Sequence, residues 1–163
     1  MALVLPVLTL YLFLVPQAAG LKPVGAEVLT ATEQQALQSS SNIRDRAKVY
    51  LEAAGRRLQA ADNFSRAQDA TQMITSLQTY SQILGLCKAE VSQVSSKKRE
   101  DLKKDELTLR RNLATLDTME ARLGAYDREQ LRDAKQMTKE LRFMFLGTFF
   151  GPGTLKPPLG ATS

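Results

Sequence analysis

Two sets of apolar residues recur every seven positions near the middle of the chain, and they form its most regular hydrophobic pattern. The first set is Ala70, Leu77, Leu84 and Val91, and the second, three positions later, is Met73, Tyr80, Cys87 and Val94. Such a repeat places both sets along one side of an α-helix, as in a coiled coil. We expect this heptad seam to be covered by a partner helix, because burying each large side chain contributes about 1.5–3 kcal/mol.

Leucines continue the pattern downstream after a change of phase. The recurring positions are Leu102, Leu109, Leu116 and Leu123, with Leu113 and Met119 beside them. The phase change predicts a turn near residues 95–98 between a third and a fourth helix. A continuous helix is the alternative, because such a shift can be absorbed without a break. It would be about 87 Å long, which does not suit a small domain.

Capping signals upstream predict two further helices. The sequence Thr30-Ala31-Thr32-Glu33 has the form of a capping box and predicts a short helix that ends near the serines at 39–41. Asn42 follows as the N-cap of a second helix. The apolar stripe of that second helix is Ile43, Ala47, Tyr50, Ala54, Leu58 and Ala61. Asp62-Asn63-Phe64 interrupts the stripe and predicts a turn.

The end of the chain predicts one more helix and a tail. Gly124-Ala125-Tyr126 predicts the end of the fourth helix, and Asp127 is the expected N-cap of the fifth. Its apolar face is Leu131, Ala134, Met137 or Thr138, Leu141 and Phe145. From Gly147 onward glycine and proline become frequent, so we predict a disordered tail over residues 147–163.

Together these elements predict an all-α fold over residues 30–146. Short connections favour antiparallel neighbours, so we expect an up-down bundle of three to four main helices with coiled-coil-like packing. The alternative is an open helical hairpin that completes its core by self-association through the heptad seam.

The first twenty residues have the pattern of a secretory signal peptide. Residues 4–15 are almost entirely apolar, too short to cross roughly 30 Å of hydrocarbon, and Ala18, Ala19 and Gly20 supply a cleavage site. We predict cleavage after Gly20, a linker over 21–29, and a secreted or periplasmic protein. No Lys or Arg precedes the apolar run. An uncleaved anchor or a buried N-terminal helix is the alternative.

Composition argues against most catalytic chemistry. The chain has no histidine and one cysteine, Cys87, which excludes His-based nucleophile systems, thiolate metal sites and an internal disulfide. Cys87 is expected to be a buried thiol, or else to form an intermolecular link. The net charge of +5 is mild, and seven cations are intermixed with four anions over 97–111, which is typical of a solvated helix face. We therefore expect no enzymatic activity, cofactor, metal or nucleic-acid partner.

Two short motifs are candidate sites. Asn63-Phe64-Ser65 matches the N-glycosylation pattern in a predicted turn, and Asn63 would be an acceptor in a eukaryote. The alternative is that the match is fortuitous and that Asn63 or Ser65 caps the third helix. The second motif is aromatic: Phe143, Phe145, Phe149 and Phe150. These side chains either form an interaction patch or close one end of the bundle.

The functional expectation is an exported, non-catalytic helical protein. It would bind an unidentified protein, or itself, through the heptad seam or the phenylalanines. The alternative is a protein that binds lipid or membrane surfaces through amphipathic helices.

Overall fold

The computed structural model of the chain describes residues 28–94, 102 and 105–150, and within these ranges the fold is all-helical. Of residues 125–127, 130 and 148–150, only the helical backbone is described. The helices are α1 (Ala31–Ser39), α2 (Ile43–Arg66), α3 (Ala70–Ser92), α4 (Glu106–Arg122) and α5 (Ala125–Phe150). The predicted all-α class is confirmed. The predicted signal peptide and linker residues 21–27 lie outside the described residues.

The predicted starts of the first two helices are confirmed by their capping hydrogen bonds. The Thr30 hydroxyl accepts from the Glu33 amide at 3.2 Å, and the Thr30 amide donates to the Glu33 carboxylate at 2.8 Å. The Asn42 side chain accepts from the Asp45 amide at 2.9 Å. Each bond satisfies an amide that has no partner within its helix.

The predicted turn at Asp62-Asn63-Phe64 is wrong, because α2 continues to Arg66. Asp62 is buried in the folded protein, although its charge suggested a break in the apolar stripe. The chain turns instead at Gln68, whose φ is 59°. The Gln68 and Asp69 amides donate to the carbonyls of Ser65 and Phe64, which is a Schellman motif. Glutamine occupies the left-handed position that glycine usually takes.

The long helices form two antiparallel hairpins. In the first, Arg46 near the start of α2 pairs with Glu90 near the end of α3. In the second, Arg142 near the end of α5 pairs with Glu106 at the start of α4. The short helix α1 runs back along α2, where its Glu33 pairs with Arg56.

The hairpins pack on each other through α3 with α5 and through α2 with α4. Tyr80 and Lys88 of α3 bond to Thr138 and Glu140 of α5, so these helices run in the same direction. Asp62 and Arg122 join the ends of α2 and α4. The consecutive helices α3 and α4 therefore belong to different hairpins.

The heptad seam lies in the core of one chain. Its buried members are Met73, Leu77, Tyr80, Leu84, Cys87 and Val91. Ala70 is exposed, and Val94 lies beyond the end of α3. Since α3 ends at Ser92 and α4 begins at Glu106, the described segments do not form one continuous helix. The predicted turn near 95–98 lies outside the described residues.

The leucine pattern of α4 and the apolar face of α5 complete the core. Leu102, Leu109, Leu116 and Met119 are fully buried, whereas Leu113 and Leu123 are half-buried. On α5 the fully buried residues are Leu131, Ala134, Thr138, Leu141 and Phe145. Met137 is only half-buried, so Thr138 occupies the position that the sequence left open.

Both ends of α5 differ from their prediction. The helix begins at Ala125, before the predicted cap at Asp127, because the Arg128 amide already donates to the Gly124 carbonyl at 3.2 Å. It continues to Phe150, so residues 147–150 are helical rather than part of a disordered tail. Residues 151–163 lie outside the described residues.

Candidate interaction surfaces

A polar cluster lies inside the core where α3, α4 and α5 meet. The Thr138 hydroxyl donates to the Ala134 carbonyl at 2.6 Å, and it lies 2.6 Å from the Tyr80 hydroxyl. Because a carbonyl can only accept, the Tyr80 hydroxyl must be the donor in that second bond. The Asn112 side chain lies beside the Tyr80 hydroxyl, and the Asn112 Nδ2 has no hydrogen-bond partner among the described residues.

This cluster is part of the packed core and is not suited to proton transfer at neutral pH. Burial raises the pKa of Tyr80 to about 12, which keeps the phenol protonated. Tyr80 and Thr138 are fully buried, so substrates in solvent do not reach either hydroxyl in this conformation. We infer that the cluster fixes the relative register of α3 and α5.

Cys87 is a buried thiol, as the sequence predicted. Its side chain is fully buried, and burial raises its pKa, with the negative charges of Glu90 and Asp105 acting in the same direction. A thiol becomes nucleophilic as the thiolate, so both burial and the raised pKa suppress its reactivity. The folded protein therefore does not present Cys87 for an intermolecular disulfide.

Three buried carboxylates each form ion pairs with two arginines, which lie on the same helix or on a neighbouring one. Their pairs are Glu33 with Arg56 and Arg57, Asp62 with Arg66 and Arg122, and Glu106 with Arg110 and Arg142. Burial opposes ionisation of Glu106, but Arg142 and Arg110 outweigh it and lower the pKa of that carboxyl. The pKa of Glu33 is lowered in the same way by Arg56, Thr30 and Arg57.

We expect acid to weaken the fold through these carboxylates. A carboxyl whose pKa is lower in the folded state contributes stability above its unfolded pKa, near 4.5 for Glu106, and this stability is lost as the pH falls through the folded value. Glu106→Gln should therefore unfold at lower urea concentration at pH 7, and the two unfolding curves should converge as the pH falls below 4.5.

Urea titrations followed by circular dichroism at several pH values measure this effect. Glu52→Gln is the matched control, because Glu52 is exposed and lies 3.9 Å from Lys48. Equal pH dependence of wild type and Glu106→Gln would show that this carboxylate is not linked to stability.

Asp105 is the one acidic side chain in the described segments with a buried oxygen that lacks a hydrogen-bond partner. Burial raises the pKa of this carboxyl, although the charges of Arg44 and Lys48 oppose the shift. The described residues contain no group of three or more His, Cys, Asp or Glu side chains that could hold a metal ion. Asp105 is the N-cap residue of α4, and its side chain makes no capping hydrogen bond.

The structure does not bring the four predicted phenylalanines together as one exposed patch. Phe145 is fully buried and belongs to the core, because it continues the inner face of α5. Phe143 is half-buried. Phe149 and Phe150 lie in the last turn of α5, and their side chains are outside the described part of the structure.

Asn63 lies near the end of α2 and is exposed, so it does not occupy a turn. It does not cap α3 either. That role belongs to Asp69, whose carboxylate accepts from the Gln72 amide at 3.1 Å. The glycosylation motif is therefore on helical backbone, and the carbonyls of its Phe64 and Ser65 accept the hydrogen bonds of the Schellman motif.

An uncharged surface on α3 was not predicted from the sequence. Between Ala70 and Cys87 the chain contains no Asp, Glu, Lys or Arg, although 24% of all its residues are charged. The exposed side chains of this uncharged face are Thr71, Gln72, Thr75, Gln78 and Gln82. The gap in charge is visible in the sequence, but the heptad pattern of the same segment describes only its buried side.

A shallow groove of about 460 Å³ borders the uncharged face, between α3 and α5. Its lining includes the half-buried Ile74, the polar Gln78 and Ser81, and Asp133 from α5. The face thus combines hydroxyl and amide groups with one partly exposed aliphatic side chain.

None of the helices in the described segments is both long and apolar enough to cross a membrane. No protein-family model matches the chain, and comparisons with curated proteins and with solved structures found no similar protein.

Proposed function

We propose that this chain is an exported, non-catalytic helical protein that works by binding another protein. The apolar leader over residues 1–20 supports export to the periplasm or the exterior. In this proposal α2 to α5 form a bundle of two antiparallel hairpins with coiled-coil-like packing, which holds a binding surface in place. The proposal includes no cofactor, metal or nucleic acid.

The uncharged face of α3 is the observation that carries the proposal. The cores of protein interfaces are depleted in charged residues relative to the remaining surface. Folding alone does not account for the composition of this face, because threonine is a poorer helix former than lysine or glutamate at an exposed position. Thr71 and Thr75 are both exposed and helical.

The partner in this proposal is a protein that presents uncharged polar groups and a small apolar side chain. Such a surface can bond to Gln78 and Ser81 and can cover Ile74 in the groove. Self-association through the heptad seam has less support, because residues such as Leu84 and Cys87 are already buried within one chain.

Site-specific photo-crosslinking in the native compartment tests this proposal. A crosslinker placed at Gln78 is expected to give one discrete adduct whose partner is identified by mass spectrometry. Thr75→Glu should abolish that adduct by placing a charge in the interface core, while improving helix propensity.

The matched control uses the exposed Thr118 on α4, both as a crosslinking position and as Thr118→Glu. The proposal fails if Gln78 gives no discrete adduct, or if the adducts at Gln78 and Thr118 are the same.

A further inference from the structure

The outer side of α5 has a line of four basic residues: Arg128, Arg132, Lys135 and Lys139. Successive α-helical residues are separated by about 100°, so spacings of four, three and four keep these positions within a narrow arc. Arg128, Arg132 and Lys139 are exposed, and Lys135 is half-buried. We call these four residues the basic stripe.

The charge of the basic stripe is only partly compensated. Lys135 binds Asp117 and Glu120 of α4, each at 2.6 Å. Arg128 donates to the Leu123 carbonyl at 3.0 Å and pairs with no carboxylate among the described side chains. Arg132 and Lys139 have no carboxylate partner among the described residues, and these cations line a cleft of about 510 Å³. Glu129, which also lines the cleft, offsets one of these charges.

The same side of α5 becomes apolar in the turns that follow the basic stripe. Phe143 lies four residues after Lys139, and Leu146 follows three residues later, so both continue the arc. Both side chains are partly exposed, whereas Leu141 and Phe145 on the opposite side are fully buried in the core.

We propose that α5 docks on an anionic lipid surface through this side. Arg132 and Lys139 contact the phosphates of the headgroups, and Phe143 and Leu146 enter the boundary with the acyl chains. A helix that lies in the interface needs basic side chains beside aromatic and aliphatic ones on its exposed side. The net charge of +5 adds attraction to such a surface.

This lipid-binding function goes beyond the proposed protein-binding function and uses a different surface. The uncharged face of α3 lies on another helix, so each function can fail without the other. An acidic protein would also complement the cations, but the placement of Phe143 and Leu146 in line with them favours lipid.

A single tryptophan reports directly on this docking, because the chain contains none. Phe143→Trp in the full chain is mixed with vesicles of phosphatidylglycerol and phosphatidylcholine, or of phosphatidylcholine alone. We expect a blue-shifted emission, and quenching by brominated acyl chains, with the anionic vesicles only. Leu107→Trp, at a 50% exposed position on α4, is the control reporter and should not respond.

Charge removal tests the role of the basic stripe. Arg132→Gln with Lys139→Gln, in the Phe143→Trp background, should weaken partitioning onto anionic vesicles about 30-fold, since each basic residue near the surface contributes about fivefold. Lys48→Gln with Arg111→Gln removes the same charge from exposed positions on α2 and α4 and should have a much smaller effect.

Three results would overturn the lipid proposal. The first is no shift at position 143 with anionic vesicles, and the second is an equal shift at positions 143 and 107. The third is a shift produced by a soluble polyglutamate peptide or by free phosphate but not by vesicles, which would assign the basic stripe to an acidic partner or a small anion.

Discussion

Leu84→Ala is expected to lower the free energy of unfolding by about 3 kcal/mol, because it opens a cavity that the surrounding helices cannot close. Leu84 is fully buried near the middle of α3, where the heptad seam meets the rest of the core. Urea denaturation followed by circular dichroism measures this loss.

Leu107→Ala is the control for the same chemical change, because Leu107 is 50% exposed. It should change stability by less than about 0.5 kcal/mol. Equal losses for the two variants would mean that the heptad seam is not packed within one chain. A midpoint that rises with protein concentration would then favour the hairpin that dimerises.

Tyr80→Phe is expected to lower the free energy of unfolding by about 2 kcal/mol, because it removes the donor to Thr138 and the buried Thr138 oxygen loses the hydrogen bond that it accepts. Thr138→Val should cost a similar amount, since the Tyr80 hydroxyl then loses its acceptor. The double variant should cost clearly less than the sum of the two, because both polar partners are gone together.

Thr118→Val is the matched control for Thr138→Val. Both hydroxyls donate to the carbonyl four residues earlier, but Thr118 is exposed, whereas Thr138 is buried and accepts from Tyr80. Additive losses in the Tyr80 and Thr138 cycle would contradict the shared hydrogen bond.

The parts of the fold that could be predicted from the sequence depend on local hydrogen bonds and on helical spacing. Thr30 and Asn42 cap helices through amides only three residues away, so a short motif was sufficient. The spacing of Leu109, Leu116 and Leu141 likewise identified one side of each helix, because the side with most apolar atoms is buried.

The remaining features depend on residues far apart in the sequence. The sequence predicts a break at Asp62, whereas its burial within a helix depends on two arginines, Arg66 one turn later and the distant Arg122. Thr138 is buried because Tyr80 meets it from α3. The turn at Gln68 lacked the glycine that marks such positions, so the change of direction was placed too early.

The interaction surfaces could be predicted less well than the core. Periodicity shows which side of a helix is buried, but it does not show what an exposed side binds. The sequence predicts Phe145 both on the apolar face of α5 and as a candidate for an interaction patch, and its burial confirms the first of these. The uncharged face of α3 is found from a different observation: charged residues are absent at its exposed positions, which hydrophobic periodicity does not show.

The burial of Cys87 has a consequence for the rate at which its thiol can be modified. An alkylating reagent or an oxidant can reach this thiol only when the core around α3 opens, so modification proceeds at a rate set by the opening equilibrium. A correctly folded chain is thereby protected from covalent aggregation, while an unfolded chain exposes its single cysteine to every neighbour. The rate of Cys87 modification therefore reports how often the folded core opens.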